Sequence, residues 1–317
     1  MRALVTGGAG FIGSNLTDAL LERGDEVVVL DDLSTGRREN LEPALERGAE
    51  LVTGDVADPG VVSELVGRAR PEAVYHLAAQ VDVRRSVTDP GFDARVNVVG
   101  TANLLDAVRR EAPQAAFVFA STGGAIYGEG EGRELPFPEQ AEIEPEAPYG
   151  QSKLAGEGYV AYFRRVHGLA AVSLRLGNVY GPRQDPLGEA GVVAIFCGRL
   201  ADGGRPTVFG DGRQTRDFVY VADVAVAMTA SAERLLKGAA ELADVYNVGT
   251  GRETSVLELA AKLGELGGRD DFEPEPAPPR EGEIQRCAID SRRAGSDLDW
   301  HAQTSLDEGL RITLGAV

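Results

Sequence analysis

The chain has 317 residues, enough for about two domains and for a core that needs no disulfide or metal staple. Apolar residues make up 43% and charged residues 26%, which excludes a disordered or fibrous polymer. With 32 basic against 50 acidic residues the net charge is -18, so nucleic acid and anionic membrane surfaces are poor partners, and an anionic substrate needs its own basic pocket.

The two cysteines, Cys197 and Cys287, lie far apart, which suits free thiols in a reducing compartment better than a disulfide framework. The three histidines, His76, His167 and His301, lack metal-ligand spacing, so no metal is expected. There is no apolar run of about 18 residues and no signal-peptide pattern at the start, which makes the cytoplasm the expected location.

In chain order, Ala3–Thr6 reads as a compact apolar strand. Phe11–Arg23 follows, with Ile12, Leu16, Ala19 and Leu20 on one helical stripe and Gly24 as a stop. Glu26–Leu30 is a strand apolar on both faces, and further strands fall at Leu51–Thr53, Ala73–Leu77, Ala116–Ala120 and Ala171–Leu174. Helical patterns lie between them at Val61–Arg70, Phe92–Arg110 and Tyr149–Val166. This alternation predicts right-handed crossovers and a doubly wound parallel sheet of the Rossmann-type α/β class. After about Arg175 glycine and proline become frequent, as in a smaller, loop-rich α+β unit. Glu129–Glu146, with seven glutamates and one arginine, reads as a solvated loop or as the border of a substrate site. Asp270–Glu283 reads as an extended connector.

Residues 6–13 read TGGAGFIG at the first strand-to-helix junction. Gly8, Gly10 and Gly13 fit G-x-G-x-x-G, while Gly7, Gly10 and Gly13 fit a G-x-x-G-x-x-G variant. Either spacing gives a tight turn, close backbone approach and a helix N-terminus whose free N–H groups suit a pyrophosphate. Asp31, at the end of the second strand, can accept hydrogen bonds from both adenosine ribose hydroxyls and repels a 2′-phosphate, so NAD is preferred over NADP. The plainer alternative is that Asp31 and Asp32 begin a polar turn. Asp55, in TGDVAD, is placed to approach the adenine, and Leu77, Ala78 and Ala79 sit at the ligand-binding edge of the sheet.

Tyr149 and Lys153 stand four apart in PYGQSK and share one helix face. Eight tyrosines and three lysines would give about 0.08 such pairs by chance, which favours function over an accidental amphipathic pair. A phenol with a pKa of about 10 is a poor base at neutral pH. A nearby ammonium and a cationic nicotinamide both favour the phenolate, bringing that pKa toward the working range. Ser121 and Thr122 end the fifth strand, where either could donate to the reacting hydroxyl or be satisfied by backbone.

These segments resemble the extended short-chain dehydrogenase/reductase family, and within it the bacterial UDP-glucose 4-epimerases. The likeness runs through TGGAGFIGSNL, DDLSTGRRENL, YHLAAQVDVRRSV, NVVGTANLL, STGGAIYGE, PYGQSKLAGE, NVYGPRQDPLGEAGVVAIF, FGDGRQTRDFVYVADV, YNVGTG and PPREGEIQRCAID. It implies an NAD-binding unit of 1–175 plus about 214–249, and a nucleotide-sugar unit of about 176–213 plus 250–317. It implies interconversion of UDP-glucose and UDP-galactose through a 4-keto sugar, with Tyr149 and Lys153 as the working pair. The cofactor set it implies adds Phe11, Ile12, Ser34, Thr35, Gly36, Val56, Gln80 and Asn97. For the nucleotide sugar it implies Asn178, Val192, Val193, Val208, Phe209, Arg216, Arg280, Glu283 and Cys287. A homodimer through Phe92–Arg110 and Tyr149–Val166 is also implied.

Three positions depart from that pattern. The family's catalytic hydroxyl commonly sits four residues before the tyrosine of V-Y-G, and here that place is Gly123, so Thr122 is expected to serve, with Ser121 as the alternative. Glu283 replaces a usual aspartate. Cys287 stands where some relatives carry tyrosine, and its small size suggests room for a 2-acetamido group. The related alternatives are a 4-epimerase of UDP-N-acetylglucosamine or UDP-glucuronate, and a non-catalytic NAD-binding regulator. STGGAIYG lacks the acid pair of the 4,6-dehydratase segment S-T-D-E-V-Y-G.

Overall fold

The structure is a computed structural model that describes residues 1–186, 191–238, 242–269, 271–280 and 282–317. Positions 187–190 of the NVYGPRQDPLGEAG segment and 270 and 281 of the expected connector lie outside the described residues.

The chain opens with β1 (Arg2–Thr6), α1 (Phe11–Glu22), β2 (Glu26–Asp31), α2 (Glu42–Glu46), β3 (Glu50–Thr53), α3 (Pro59–Ala69) and β4 (Ala73–His76). Next come α4 (Val83–Thr88), α5 (Pro90–Ala94), a π-helical turn at Arg95–Val99 and α6 (Gly100–Glu111). β5 (Ala116–Thr122), α7 (Gly123–Ile126), α8 (Pro148–His167) and β6 (Ala171–Leu176) follow. The remaining elements are β7 (Asn178–Tyr180), α9 (Val192–Ala201), β8 (Thr207–Phe209), β9 (Thr215–Arg216), β10 (Phe218–Tyr220), α10 (Val221–Leu236) and β11 (Val245–Val248). After these come β12 (Thr254–Ser255), α11 (Val256–Leu266), β13 (Glu275–Ala277), α12 (Arg292–Leu298) and α13 (Leu306–Leu314).

Seven strands form one sheet in the order β11-β6-β5-β4-β1-β2-β3, and every pairing is parallel. Strand residues alternate between two apolar layers, as a period of two requires. Leu4, Leu30, Val74 and Phe117 pack with Leu65, Leu104, Leu105 and Phe163 on one face. Val5, Val29, Tyr75 and Val118 pack with Leu16, Leu20 and Met228 on the other. The chain leaves β1 toward β2 and later returns to β4 on the opposite flank, so a crevice opens at the carboxyl ends of β1 and β4.

A third core gathers Tyr180, Val193, Phe196, Val208, Phe218, Leu259 and Leu263 from the smaller elements, with Phe11 and Ile12 of α1 packed against it. Asn15 Nδ2 also donates to the Pro182 carbonyl at 3.1 Å, so the first helix is tied to both parts of the molecule. Two features differ from expectation. The helical stretch Phe92–Arg110 is interrupted by the π turn, because the Asn97 side chain is drawn into a buried hydrogen-bond cluster described below. Ala294, Leu298 and Trp300, expected with the smaller unit, pack into the main core, and Trp300 Nε1 donates to the Asp223 carbonyl at 2.8 Å.

Candidate active site

The crevice begins at the glycine turn. Gly7 has φ +71, its N–H donates to the Leu30 carbonyl at 2.8 Å, and a Cβ there would lie 2.6 Å from the Ala78 nitrogen. Gly13 faces the Gly7 carbonyl so closely that a side chain would fill the turn. These two positions explain the glycines: the turn needs a left-handed residue, and the helix must start against bare backbone. Leu77 N–H donates to the Thr6 carbonyl and Ala78 N–H to the Thr6 hydroxyl, which fixes the Leu77–Ala79 edge beside the turn.

Asp31 lies across the crevice from the start of α1. Its carboxylate accepts from the Ala9 and Leu33 amides, both at 2.9 Å, and a Cβ on Gly36 would come within 2.7 Å of it. Burial raises the Asp31 pKa, and the two amide bonds oppose that rise. A carboxylate has about four acceptor sites, so two amides leave capacity for a ribose. Asp32 instead closes its own turn, accepting from the Ser34 amide and hydroxyl, with Ser34 and Thr35 exposed. The Asp55 carboxylate accepts from the Ala57 amide and pairs with Arg95, and Val56 packs against Gly100. These residues fit a dinucleotide: a bare-backbone cradle, a helix N-terminus and a partly free carboxylate at the end of β2.

Thr122 ends β5 in extended backbone, at φ −133 and ψ 119, and caps α7 without using its side chain. Its side chain instead opposes the rise that burial imposes on the Tyr149 phenol. A Cβ at Gly123 would lie 2.8 Å from Ile289 Cδ1, so a side chain there would require Ile289 to shift. Ser121, the alternative donor, is engaged elsewhere: its Oγ donates to Glu157 Oε1 at 2.6 Å. Tyr149 is partly buried, and its N–H donates to Ser86 Oγ at 3.1 Å.

Lys153, 3% exposed, places its Nζ 4.3 Å from the Phe119 ring centroid. Burial pushes its pKa down to about 7 against the charges of Glu157 and Asp93. Burial pushes the Tyr149 phenol up to about 12, the Thr122 hydrogen bond opposes this, and Asp93 adds to it. In this geometry desolvation dominates the phenol. His76 is fully buried between the Thr6 hydroxyl at 2.7 Å and the Thr101 hydroxyl at 2.9 Å, and burial lowers it to about 3, so it is a neutral strut.

Asn97, expected near the nicotinamide, sits in a buried hydrogen-bond cluster. Its Nδ2 bonds the Gln80 carbonyl, Asp93 and Ser152, while its Oδ1 accepts from the Gln80 amide at 2.9 Å. It therefore braces the β4 edge against α8. Gln80 belongs to the same buried cluster, its Nε2 donating to Asp93 Oδ1 at 3.0 Å.

On the opposite wall, Cys287 is buried with Sγ 3.8 Å from the Gly123 carbonyl, and burial pushes its thiol up to about 12. Asn178 places Oδ1 3.2 Å from where a Gly124 Cβ would stand. Arg216 Nη2 lies 3.7 Å from Glu283 Oε1, and the Arg280 guanidinium stacks 3.8 Å from the Phe209 ring centroid. Burial lowers the Arg216 pKa, with Glu283 opposing. Val193 and Val208 are core residues, whereas Val192 and Phe209 are half-buried. The Val193 and Val208 side chains fill the third core.

Residue-by-residue inspection of the sequence missed Glu157, Arg175, Asp93, Ser86, Ser152 and Asp217. Arg175 had a signal, being the one charge in the buried strand AVSLRL. Asp217 is buried and accepts from the Thr250, Gly251 and Ile289 amides, which clamps the loops that carry the Cys287 side of the cleft.

A dinucleotide cradle that opens onto a buried tyrosine–lysine helix places the chain among the extended short-chain dehydrogenase/reductases, enzymes that work with NAD. The chain belongs to the NAD dependent epimerase/dehydratase family, whose model matches residues 3–249. It is 45% identical to a UDP-glucose 4-epimerase of Mycolicibacterium smegmatis over 99% of this chain and 97% of that protein. A UDP-glucose 4-epimerase of Thermotoga maritima, solved with UDP-glucose, superposes with a TM-score of 0.91 at 43% identity, covering 100% and 98% of the two chains. A UDP-glucose 4-epimerase of Thermus thermophilus, solved with NAD, gives 0.89 at 43% identity, again covering 100% and 98%.

Proposed function

We propose that this enzyme interconverts UDP-glucose and UDP-galactose at C4. The supporting observation is that β5 ends at Thr122, the group that lowers the Tyr149 phenol against burial, with Lys153 one helical turn along α8, in a chain whose first strand-to-helix turn is the dinucleotide cradle. When bound, NAD supplies the acceptor and donor of the C4 hydride. Tyr149 takes the proton from the C4 hydroxyl and later returns it. Thr122 orients the phenol and stabilises its anion by donating to it. Gly7, Gly10 and Gly13 hold the pyrophosphate, Asp31 holds the adenosine ribose, and the Leu77–Ala79 edge borders the nicotinamide. Arg216 and Arg280 exchange Glu283 and the Phe209 ring for the diphosphate, to which guanidinium forks are matched. Glu283, freed from Arg216, faces the uridine ribose.

Incubating the purified enzyme with UDP-galactose and separating products by chromatography tests this. UDP-glucose should accumulate to a fixed ratio from either direction, and its absence would refute the assignment. A second reading, turnover of N-acetylated UDP-hexoses, is favoured by the small Cys287 side chain against the loop of Thr122. Cys287→Tyr should then lose UDP-N-acetylglucosamine turnover selectively. Pairing of two copies through α5–α6 and α8 accords with exposed Val99, Tyr159, Tyr162 and Val166 on those segments, and sedimentation velocity measures it.

A further inference from the structure

Tyr149, Lys153 and Glu157 recur every four residues along α8, so phenol, amine and carboxylate occupy one helix face. Glu157 is 5% exposed, and its oxygens are fully engaged. Ser121 Oγ donates to Oε1 at 2.6 Å, Arg175 Nε donates to Oε1 at 3.0 Å, and Arg175 Nη2 donates to Oε2 at 2.7 Å. Ser121 and Arg175 stand opposite one another in the β5–β6 register. One carboxylate on α8 therefore clasps two neighbouring strands at the residue immediately before Thr122.

The clasp continues away from the helix. Arg175 Nη1 donates to Tyr127 Oη at 2.8 Å, and Tyr127 Oη donates to Asn247 Oδ1 at 2.8 Å. Asn247 Nδ2 in turn donates to the Phe137 and Asp290 carbonyls. A buried ion pair is a weak device for stability, since an apolar trio of similar volume serves as well or better. Its placement beside the reacting groups calls for another explanation.

We propose that Glu157 is a positioning residue for proton transfer: its carboxylate clasps the ends of β5 and β6 against α8, fixing the strand end that carries Thr122, and sets a negative charge one helical turn from the Lys153 amine. This rests on the reading of Tyr149 as the base. The charges acting on Lys153 are Glu157 on its own helix and Asp93 from α5, and neutral His76 from β4 also faces it. Glu157 itself is faced by Arg175 from β6 and by Ser121 from β5. Of the two charges that oppose the desolvation of Lys153, Glu157 is the larger.

The chain has only three lysines, Lys153, Lys237 and Lys262, so isotope-labelled lysine gives an NMR titration in which loss of one signal in Lys153→Met assigns the residue. In the NAD-loaded enzyme, Glu157→Gln should move the Lys153 midpoint to lower pH by about one unit or more. With UDP-galactose, kcat should fall at least about tenfold while KM stays within about twofold. Glu157→Asp, which keeps the charge, should return the midpoint. Should the single variant fail to fold with Arg175 left unpaired, Glu157→Gln/Arg175→Met carries the same titration. An unmoved Lys153 midpoint in a folded variant overturns the proposal. A wild-type enzyme that binds NAD but converts no UDP-sugar refutes the catalytic reading on which the proposal rests, a result separate from the titration.

Discussion

The two walls of the cleft are built differently. On the β5–α8 wall the polar groups are held by partners within the protein: Ser121 and Arg175 on Glu157, Asn97 on Gln80 and Ser152. On the opposite wall Arg216 meets Glu283 at 3.7 Å and Arg280 rests on the Phe209 ring, contacts that, on the proposed function, a diphosphate replaces. The first wall is arranged before any ligand arrives, as chemistry demands, and the second is arranged to be exchanged, as binding demands.

Substitutions should separate the two walls by which kinetic constant they move. The largest effect belongs to Tyr149→Phe, which should lower kcat about 10³-fold or more while NAD remains bound, measured by turnover and by cofactor retention on gel filtration. Thr122→Val, near in shape but without a hydroxyl, should lower kcat about 10²-fold with little change in KM. Arg280→Ala should do the reverse, raising KM for UDP-galactose about tenfold or more and weakening inhibition by UDP in parallel, with kcat nearly kept. A comparable fall in kcat for Arg280→Ala would erase the distinction.

The smallest effect is thermodynamic. Lys153 is depressed to about 7 from its ordinary 10.5, so between those values the unfolded chain binds a proton that the folded chain does not. Its contribution to stability therefore grows as pH rises through that window. The Met1 amine, raised by its bond to Asp25, acts in the opposite sense, so the comparison must be made against a variant. Without NAD, the gain in Tm from pH 7 to pH 9 should be smaller in Lys153→Met than in wild type, by calorimetry.

What the sequence disclosed follows from the range over which each interaction acts. Six of the seven parallel strands were legible to within a residue or two, because buried strands are apolar, as in EVVVL, whereas β11 was not read as a strand. The glycine turn and the Tyr149–Lys153 pair were legible because their partners are close in the chain. The π turn at Arg95–Val99 was not, because it depends on Asn97 reaching Gln80 and Ser152, 17 and 55 positions away. Ser121 and Thr122 could not be told apart either. Their roles divide only once Glu157 and Arg175 are brought beside Ser121 by the β5–β6 register. The short strands β9 and β12, two residues each, carry no periodicity to read.

The account turns on the Tyr149 phenol being a reluctant acid until a cation joins it. Ultraviolet titration of tyrosinate, taken as wild type minus Tyr149→Phe, isolates this one group with and without NAD. The phenol should ionise well above pH 10 in the cofactor-free enzyme, and at distinctly lower pH once NAD is bound. A midpoint that is the same in both states would contradict it.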